Sequence, residues 1–414
     1  MTTLTVVVPA AHDKRAAILR MLAYATAALA PVEGYLTAAH PHLGKVAPAL
    51  LIATWLVVRL RQRSLPSPTP LHAVLALLAV VVAATAAMHS PGAFTAEYLV
   101  RWLPFLVLTV VLADVACREV PIRGLLLAMA AGATVAGVGA LYSLIFEGQA
   151  RASGPQADPN DLAYFLVAAI PLLFVAGRGS RWRLAVVVLA GAVLVAGAMA
   201  TFSRGGVLGL AAATGWLTLR RVLPWRALAV GVVAVATLLM GASLFAGPRL
   251  ERAVEEKTFI AASNVDTREL RWQAAVRMVA EHPVSGVGPG GFREAYAAES
   301  HNAEIDEQTP VAHNMYLEVA AELGLPGFAL FGTVIGIAGV VSERAIRLAA
   351  WSSSFRIEVV AIQASLLAVL VMSTFLSEQY YLPLWSLAAL AVAAEIRALR
   401  KARGEEQYRC VSCT

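Results

Sequence analysis

The chain is written in long apolar runs separated by short polar intervals. Runs dominated by Ala, Val, Leu and Ile lie near 16–38, 46–60, 71–88, 98–116, 122–146, 161–177, 184–201, 206–219, 227–246, 315–342, 357–376 and 380–396. A helix needs roughly 20 apolar residues to cross a bilayer, so the pattern predicts an all-α polytopic membrane protein with about twelve transmembrane helices. The run at 315–342 is longer than a bilayer requires; it is expected to begin outside the membrane and to bend at Gly324–Pro326. Only one polar interval is long. It covers 247–314 and is expected to be a large helical loop outside the membrane, between helices nine and ten. The chain then divides into nine spans over 1–246, the loop over 247–314, three spans over 315–397 and a tail over 398–414. No internal repeat of fixed period is visible.

Composition supports that division. Charged residues make up 14% and hydrophobic ones 59% of the 414 residues, where a soluble domain would carry about a quarter charged. The net charge of +6 does not point to nucleic acid. Its carriers sit in short clusters: Arg59/Arg61/Arg63, Arg118/Arg123, Arg178/Arg181/Arg183, Arg220/Arg221/Arg226, Arg344/Arg347/Arg356 and Arg397/Arg400/Lys401/Arg403. All fall on one side if the N-terminus is inside, and the opposing short loops 89–96 and 377–379 hold no Lys or Arg. The positive-inside rule then puts both termini in the cytoplasm, and the intervals 147–160, 202–206 and 247–314 outside it. Lys14-Arg15, an apolar run and Ala28-Leu29-Ala30 imitate a signal peptide, but Pro31 disfavours cleavage. The segment is read as the first span. Cys117, Cys410 and Cys413 provide no disulfide for the large loop, and the tail pair offers two of the four ligands a zinc site takes.

Three extracytoplasmic segments carry residues with chemistry. Ser203-Arg204-Gly205-Gly206 places an arginine at the outer end of a span, with glycines that admit a ligand to the backbone. Snorkelling to the headgroups is the bland reading of Arg204; phosphate binding is the functional one. The segment from Arg151 to Ala163 is a constrained loop in which Asp158 or Asn160 caps the next helix. Arg151 has no capping duty and is a candidate phosphate or sugar contact. In the third segment, Asp266 and Glu269 have capping-box spacing, and Arg268 and Arg271 share a helix face as an anion site or a solvated charged face. Trp272, Ala275, Val276 and Val279 form the expected core face. The glycine-rich turn 286–291 follows a helix and contains Pro, which argues against a dinucleotide fingerprint. It is expected to pack the loop onto the membrane face.

His313 opens the tenth apolar run on the same side as these arginines, and an imidazole there suits proton abstraction near neutral pH. Asn314, Glu318 and Glu322 are spaced by four and share one face, so Glu322 either caps the turn at Leu323-Gly324 or binds another helix. His282 and His301 are weaker candidates. The chain has six aspartates and no Asp-x-Asp pair on the outer face to hold a cation. Arginines would have to neutralise a departing anion instead.

Taken together, Ser203-Arg204-Gly205, Arg268 with Trp272, Pro283-x-x-Gly286-Val287-Gly288, and His313-Asn314 with Glu322-x-Gly324 resemble the O-antigen ligase and polymerase superfamily, over roughly 150–340. The resemblance implies inverting, metal-independent glycan transfer from an undecaprenyl-diphosphate donor, without cofactor, at the periplasmic face of the bacterial inner membrane. It implies that Arg204 and Arg268 bind the diphosphate, with Arg151 as a looser match and Arg271 beside them. His313 would activate the acceptor hydroxyl, supported by Ser203, Gly205, Asn314 and Glu322. The acidic connector 294–307 is not mapped by the resemblance. The expected acceptor is the lipid A core oligosaccharide, ahead of another glycan (a polymerase) or a protein. A transporter or flippase is the rival class, since about twelve spans suit it and Arg204, Glu97 and Arg101 would line a path. Against it, charge gathers at one face and not at the midplane, and Glu97 and Arg101 have the spacing of a simple pair.

Overall fold

Inside lipid every backbone N–H and C=O has to be satisfied within the chain, which leaves the helix as the solution for each apolar run. The computed structural model describes residues 10–177, 179–231, 233, 237, 267–304, 310–348 and 352–411. Among them no strand occurs. The helices are α1 (Ala10–Leu29), α2 (Glu33–Ala39), α3 (Leu43–Gln62), α4 (Pro70–Met88), α5 (Thr95–Arg118), α6 (Ile122–Ile145), α7 (Pro159–Ala169), α8 (Arg181–Ala200) and α9 (Arg204–Leu219). Residues 267–281 are helical (α10). They are followed by α11 (Gly291–Glu299), α12 (Met315–Leu348), α13 (Ser353–Met372) and α14 (Leu382–Val411).

Ten helical segments among the described residues are long and apolar enough to span a membrane. Each coincides with one of the twelve runs. The run at 206–219 becomes the 16-residue α9, and most of the run at 227–246 lies outside the described residues, as do Asp266, Arg178 and Cys413. The protein is an all-α polytopic membrane protein. The long run bends where expected: Gly324 has φ +65° and ψ −178°, which breaks α12 into an outer and an inner part.

The core centres on α14, which packs against α5, α12 and α13. Trp102, Phe331 and Trp385, one from each of α5, α12 and α14, meet edge to face at 6.0–6.2 Å and are fully buried. The small residues work differently from a simple seam between α8 and α9. Gly209 faces Met372 of α13, Gly205 faces Phe375, Gly206 faces Ala163 of α7, and Gly197 meets Leu166 of α7 and Gly137 of α6. A Cβ on Gly209 would lie 2.6 Å from Met372, so α9 owes its close seat on α13 to that glycine.

Contacts define two faces. On one, the basic clusters tie helix ends together: Arg59 to Asp114 and Glu119, Arg123 to the Ala176 carbonyl, Arg220 to Glu343, Arg397 to the Val120 carbonyl and Arg400 to the Cys117 carbonyl. On the other, the connectors 89–94, 147–158, 201–203, 267–304, 310–314 and 373–381 pack on one another. Examples are Ala152 N–H to the Ala200 carbonyl, Phe94 N–H to Glu294, and Met315 N–H to the carbonyls of Ser373 and Leu376.

Candidate active site

The second face gathers the arginines that the sequence singles out. Helix α8 stops at Ala200, and Phe202 takes a left-handed φ of +50° to turn the chain. Ser203 then caps α9 by accepting the Gly206 N–H at 3.2 Å. This leaves Arg204 exposed as the first helical residue, beside an N-terminus whose free N–H groups favour anions. Arg204 has no carboxylate partner among the described residues. Arg151 reaches the same turn. Its Nε donates to the Thr201 carbonyl at 2.9 Å and a terminal nitrogen donates to Asn160 at 3.2 Å. Asp158, not Asn160, is the cap of α7.

Arg268 on α10 is half-buried and also lacks a carboxylate partner among the described residues. Burial lowers its pKa. Asp158 opposes that shift, and Arg204, Arg271 and Arg151 add to it, so all four side chains lie within electrostatic reach of one guanidinium. Burial likewise lowers Arg151, with Asp158 opposing. Arg271, one turn along α10, is only 7% exposed and is held by both oxygens of Glu304, at 2.9 and 3.1 Å. Its neighbours Ala274, Ala275 and Met278 form the buried face of α10 with Val279 beside them, whereas Val276, expected in that face, is 55% exposed.

His313 sits in a turn gripped from two sides. Trp272 of α10 donates to the Ala312 carbonyl at 3.0 Å. From the other side Glu318, 3% exposed, accepts the Ala312 N–H at 2.9 Å while Ser377 and Gln379 donate to its carboxylate at 2.5 and 2.7 Å. Asn314 caps α12 by accepting the N–H groups of Tyr316 and Leu317, each at 3.1 Å. The clamp holds His313 at φ +47°, a conformation that a β-substituted residue adopts only under constraint. Glu304 lies within electrostatic reach of the imidazole. Burial raises the Glu304 pKa, but Arg271, Tyr296 and His313 outweigh it and the net shift is downward. Tyr296, whose hydroxyl donates to Glu304, is pushed up to about 12 by burial and that carboxylate.

Glu322 takes the second of the two roles open to it. It accepts the hydroxyl of Tyr380 at 3.3 Å and lies within electrostatic reach of the Gly290 and Phe292 N–H groups, beside the glycine-rich turn. That turn docks on the kink: Val287, Gly288 and Leu325 N–H groups bond to Ala321, Glu322 and Pro283 carbonyls. A Cβ on Gly286 would lie 2.3 Å from the Glu322 carbonyl oxygen, so close backbone approach is the purpose of that glycine. His282 and His301 are exposed.

Two contributions escaped sequence reasoning. One is Glu304, within the acidic connector. The other is the loop 373–381, noted only for lacking Lys and Arg. Its polar run Ser-Glu-Gln-Tyr-Tyr between two spans, on the face of the arginines, was the available signal.

The arrangement gathers four guanidiniums on the face that carries a constrained imidazole. It can hold a diphosphate and remove a proton from a group placed between the two. Residues 189–332 match the model of a family described as O-antigen ligase. The matched stretch holds Arg204, Arg268, Arg271, His313 and Glu322; Arg151 and the loop 373–381 lie outside it. No curated protein matches the chain.

Proposed function

We propose, from the match of residues 189–332 to the O-antigen ligase family model, that the chain carries out glycan transfer of the ligase and polymerase kind and, more narrowly, that it is an O-antigen ligase. In this reading it moves a glycan from undecaprenyl diphosphate to a hydroxyl of the lipid A core oligosaccharide, without a metal and with inversion. The site would lie on the periplasmic face of the bacterial inner membrane, with both termini in the cytoplasm. One observation carries the reading: Arg151, Arg204, Arg268 and Arg271 converge from three separate segments on the face where His313 opens α12.

The chemistry follows from these positions. Arg204 and Arg268, without a carboxylate partner among the described residues, hold the diphosphate, and Arg151 stiffens the turn beneath them. Arg271 is engaged by Glu304 and so supports the His313 turn more than it contacts the donor. His313 takes the proton of the acceptor hydroxyl as its oxygen bonds to the anomeric carbon. The bond from that carbon to the diphosphate breaks, and the guanidiniums stabilise the charge growing on the leaving group. Attack opposite the leaving group inverts the anomeric centre. A transporter site would sit near the midplane, and no such cluster stands there among the described residues.

The test is a transfer assay in chelator-treated nanodiscs with lipid-diphosphate glycan and core oligosaccharide. Wild type is expected to give product and His313→Ala to lose at least a hundredfold of it, while remaining folded and inserted. Near-normal turnover in that variant removes the general-base role. Product with a glycan acceptor and none with the core would make the protein a polymerase.

A further inference from the structure

Arg293 is a half-buried guanidinium on this face for which the transfer reaction above has no use; Arg277, likewise half-buried, is taken up by the Glu299 carbonyl and Gln273. It lies in the first turn of α11, just after the glycine-rich turn that the Val287 and Gly288 N–H groups bond to the Ala321 and Glu322 carbonyls of α12. Its guanidinium carbon stands 5.7 Å from the centre of the Phe94 ring and 5.3 Å from that of Tyr98, both at the outer end of α5. Its Nε is buried without a hydrogen-bond partner, and no carboxylate pairs with it among the described residues. The nearby acids are engaged elsewhere. Glu294 accepts the Phe94 N–H at 3.0 Å, Glu97 pairs with Arg101, and Glu322 accepts the Tyr380 hydroxyl. Aromatic faces attract a cation but do not accept its N–H bonds in full. A desolvated charged donor left in this state is unfavourable until an anion meets it.

Its place in the fold says which anion. Consecutive residues of the loop 373–381 face opposite ways. Tyr380 packs edge to face on Tyr98 and Trp102 of α5, at 5.4 and 5.3 Å. Tyr381 donates to Asp161 of α7 at 2.8 Å, in the helix whose Asn160 holds Arg151. The start of α12 is bonded into that same loop through the Met315 N–H. Arg293, beside Tyr98, and Arg151, beside Asn160, therefore stand on different sides of the loop 373–381.

We propose that Arg293 anchors an anionic substituent, phosphoryl or carboxylate, of the acceptor glycan, seated between α5 and α11 and away from the Arg151 side of the loop 373–381. This rests on the transferase reading for the identity of the ligand, but its test does not need turnover. The full chain is placed in phosphatidylcholine nanodiscs without donor, and binding of a labelled phosphorylated core oligosaccharide is measured at equilibrium. Arg293→Gln is expected to weaken binding about tenfold, as loss of one charge-assisted contact would, and Arg293→Lys to recover part of it. The phosphatase-treated oligosaccharide is expected to bind wild type and Arg293→Gln alike. Equal affinity of wild type and Arg293→Gln for the phosphorylated probe overturns the proposal. So does an equal loss on the phosphatase-treated probe, which would make Arg293 a structural support of Tyr98 and Phe94. Displacement of the probe from wild type by added phosphatidylglycerol, absent in Arg293→Gln, overturns it in favour of a lipid headgroup. Absence of transfer by wild type with intact, Arg293-dependent binding would count against the transferase reading alone and would support the anion site.

Discussion

Arg59 and Arg204 sit at opposite faces of the same bundle and have opposite surroundings. Arg59, 5% exposed, donates to Asp114 at 2.5 Å, to both oxygens of Glu119 at 2.7 and 2.8 Å and to Gln62 at 2.9 Å. Asp114 is itself shared with Trp55 and Arg118. Every polar atom of that knot is spoken for, and the result joins α3 to α5. Arg204 has no carboxylate among the described residues, and the charges that act with it on Arg268 are mainly other arginines. A saturated guanidinium fixes structure, whereas a group of like charges held together by its scaffold stores an affinity for anions. The difference separates architecture from site more clearly than the count of arginines does.

The comparison is broken most severely at the saturated end. Removing one partner of a buried ion pair leaves the other charge desolvated, at a cost of about 3–5 kcal/mol. Asp114→Ala is therefore expected to lower thermal stability in detergent by that amount. The fraction that stays folded is expected to bind donor normally. Weakened donor binding per folded molecule would mean that the two faces are coupled. An intermediate case sharpens the contrast at the other extreme. Glu97 and Arg101 pair at an exposed position, where ion pairs contribute about 0.2–1 kcal/mol. Glu97→Ala is expected to shift the same melting curve by no more than that, and a larger shift would assign the pair a role in holding α5 against α11.

Much of this architecture was legible along the chain. The apolar runs gave the spans because a bilayer imposes one length on them. The bend at Gly324 was readable because Gly and Pro interrupt an otherwise helical run. Arg204 stood out because a cation at the rim of an apolar run is an expensive placement, and Arg268 because it shares a helix face with Arg271 near a helix N-terminus. What stayed hidden depends on partners far away in sequence. Glu304 meets Arg271 across 33 residues, and Ser377 and Gln379 reach Glu318 across 59 and 61. No local spacing announces such contacts. Periodicity likewise shows that the face of α9 is small, but not that Gly209 will lie against Met372 of α13.

The central claim is that Arg204 and Arg268 act on one diphosphate. Its most direct test is a double-mutant cycle on binding of undecaprenyl diphosphate to the full chain, with Arg204→Gln, Arg268→Gln and the double variant. Each single change is expected to weaken binding at least tenfold. The double variant is expected to lose less than the product of the two, with a coupling of about 0.5–3 kcal/mol. Wild-type affinity in both single variants, or two losses that multiply with no coupling, would contradict a shared diphosphate.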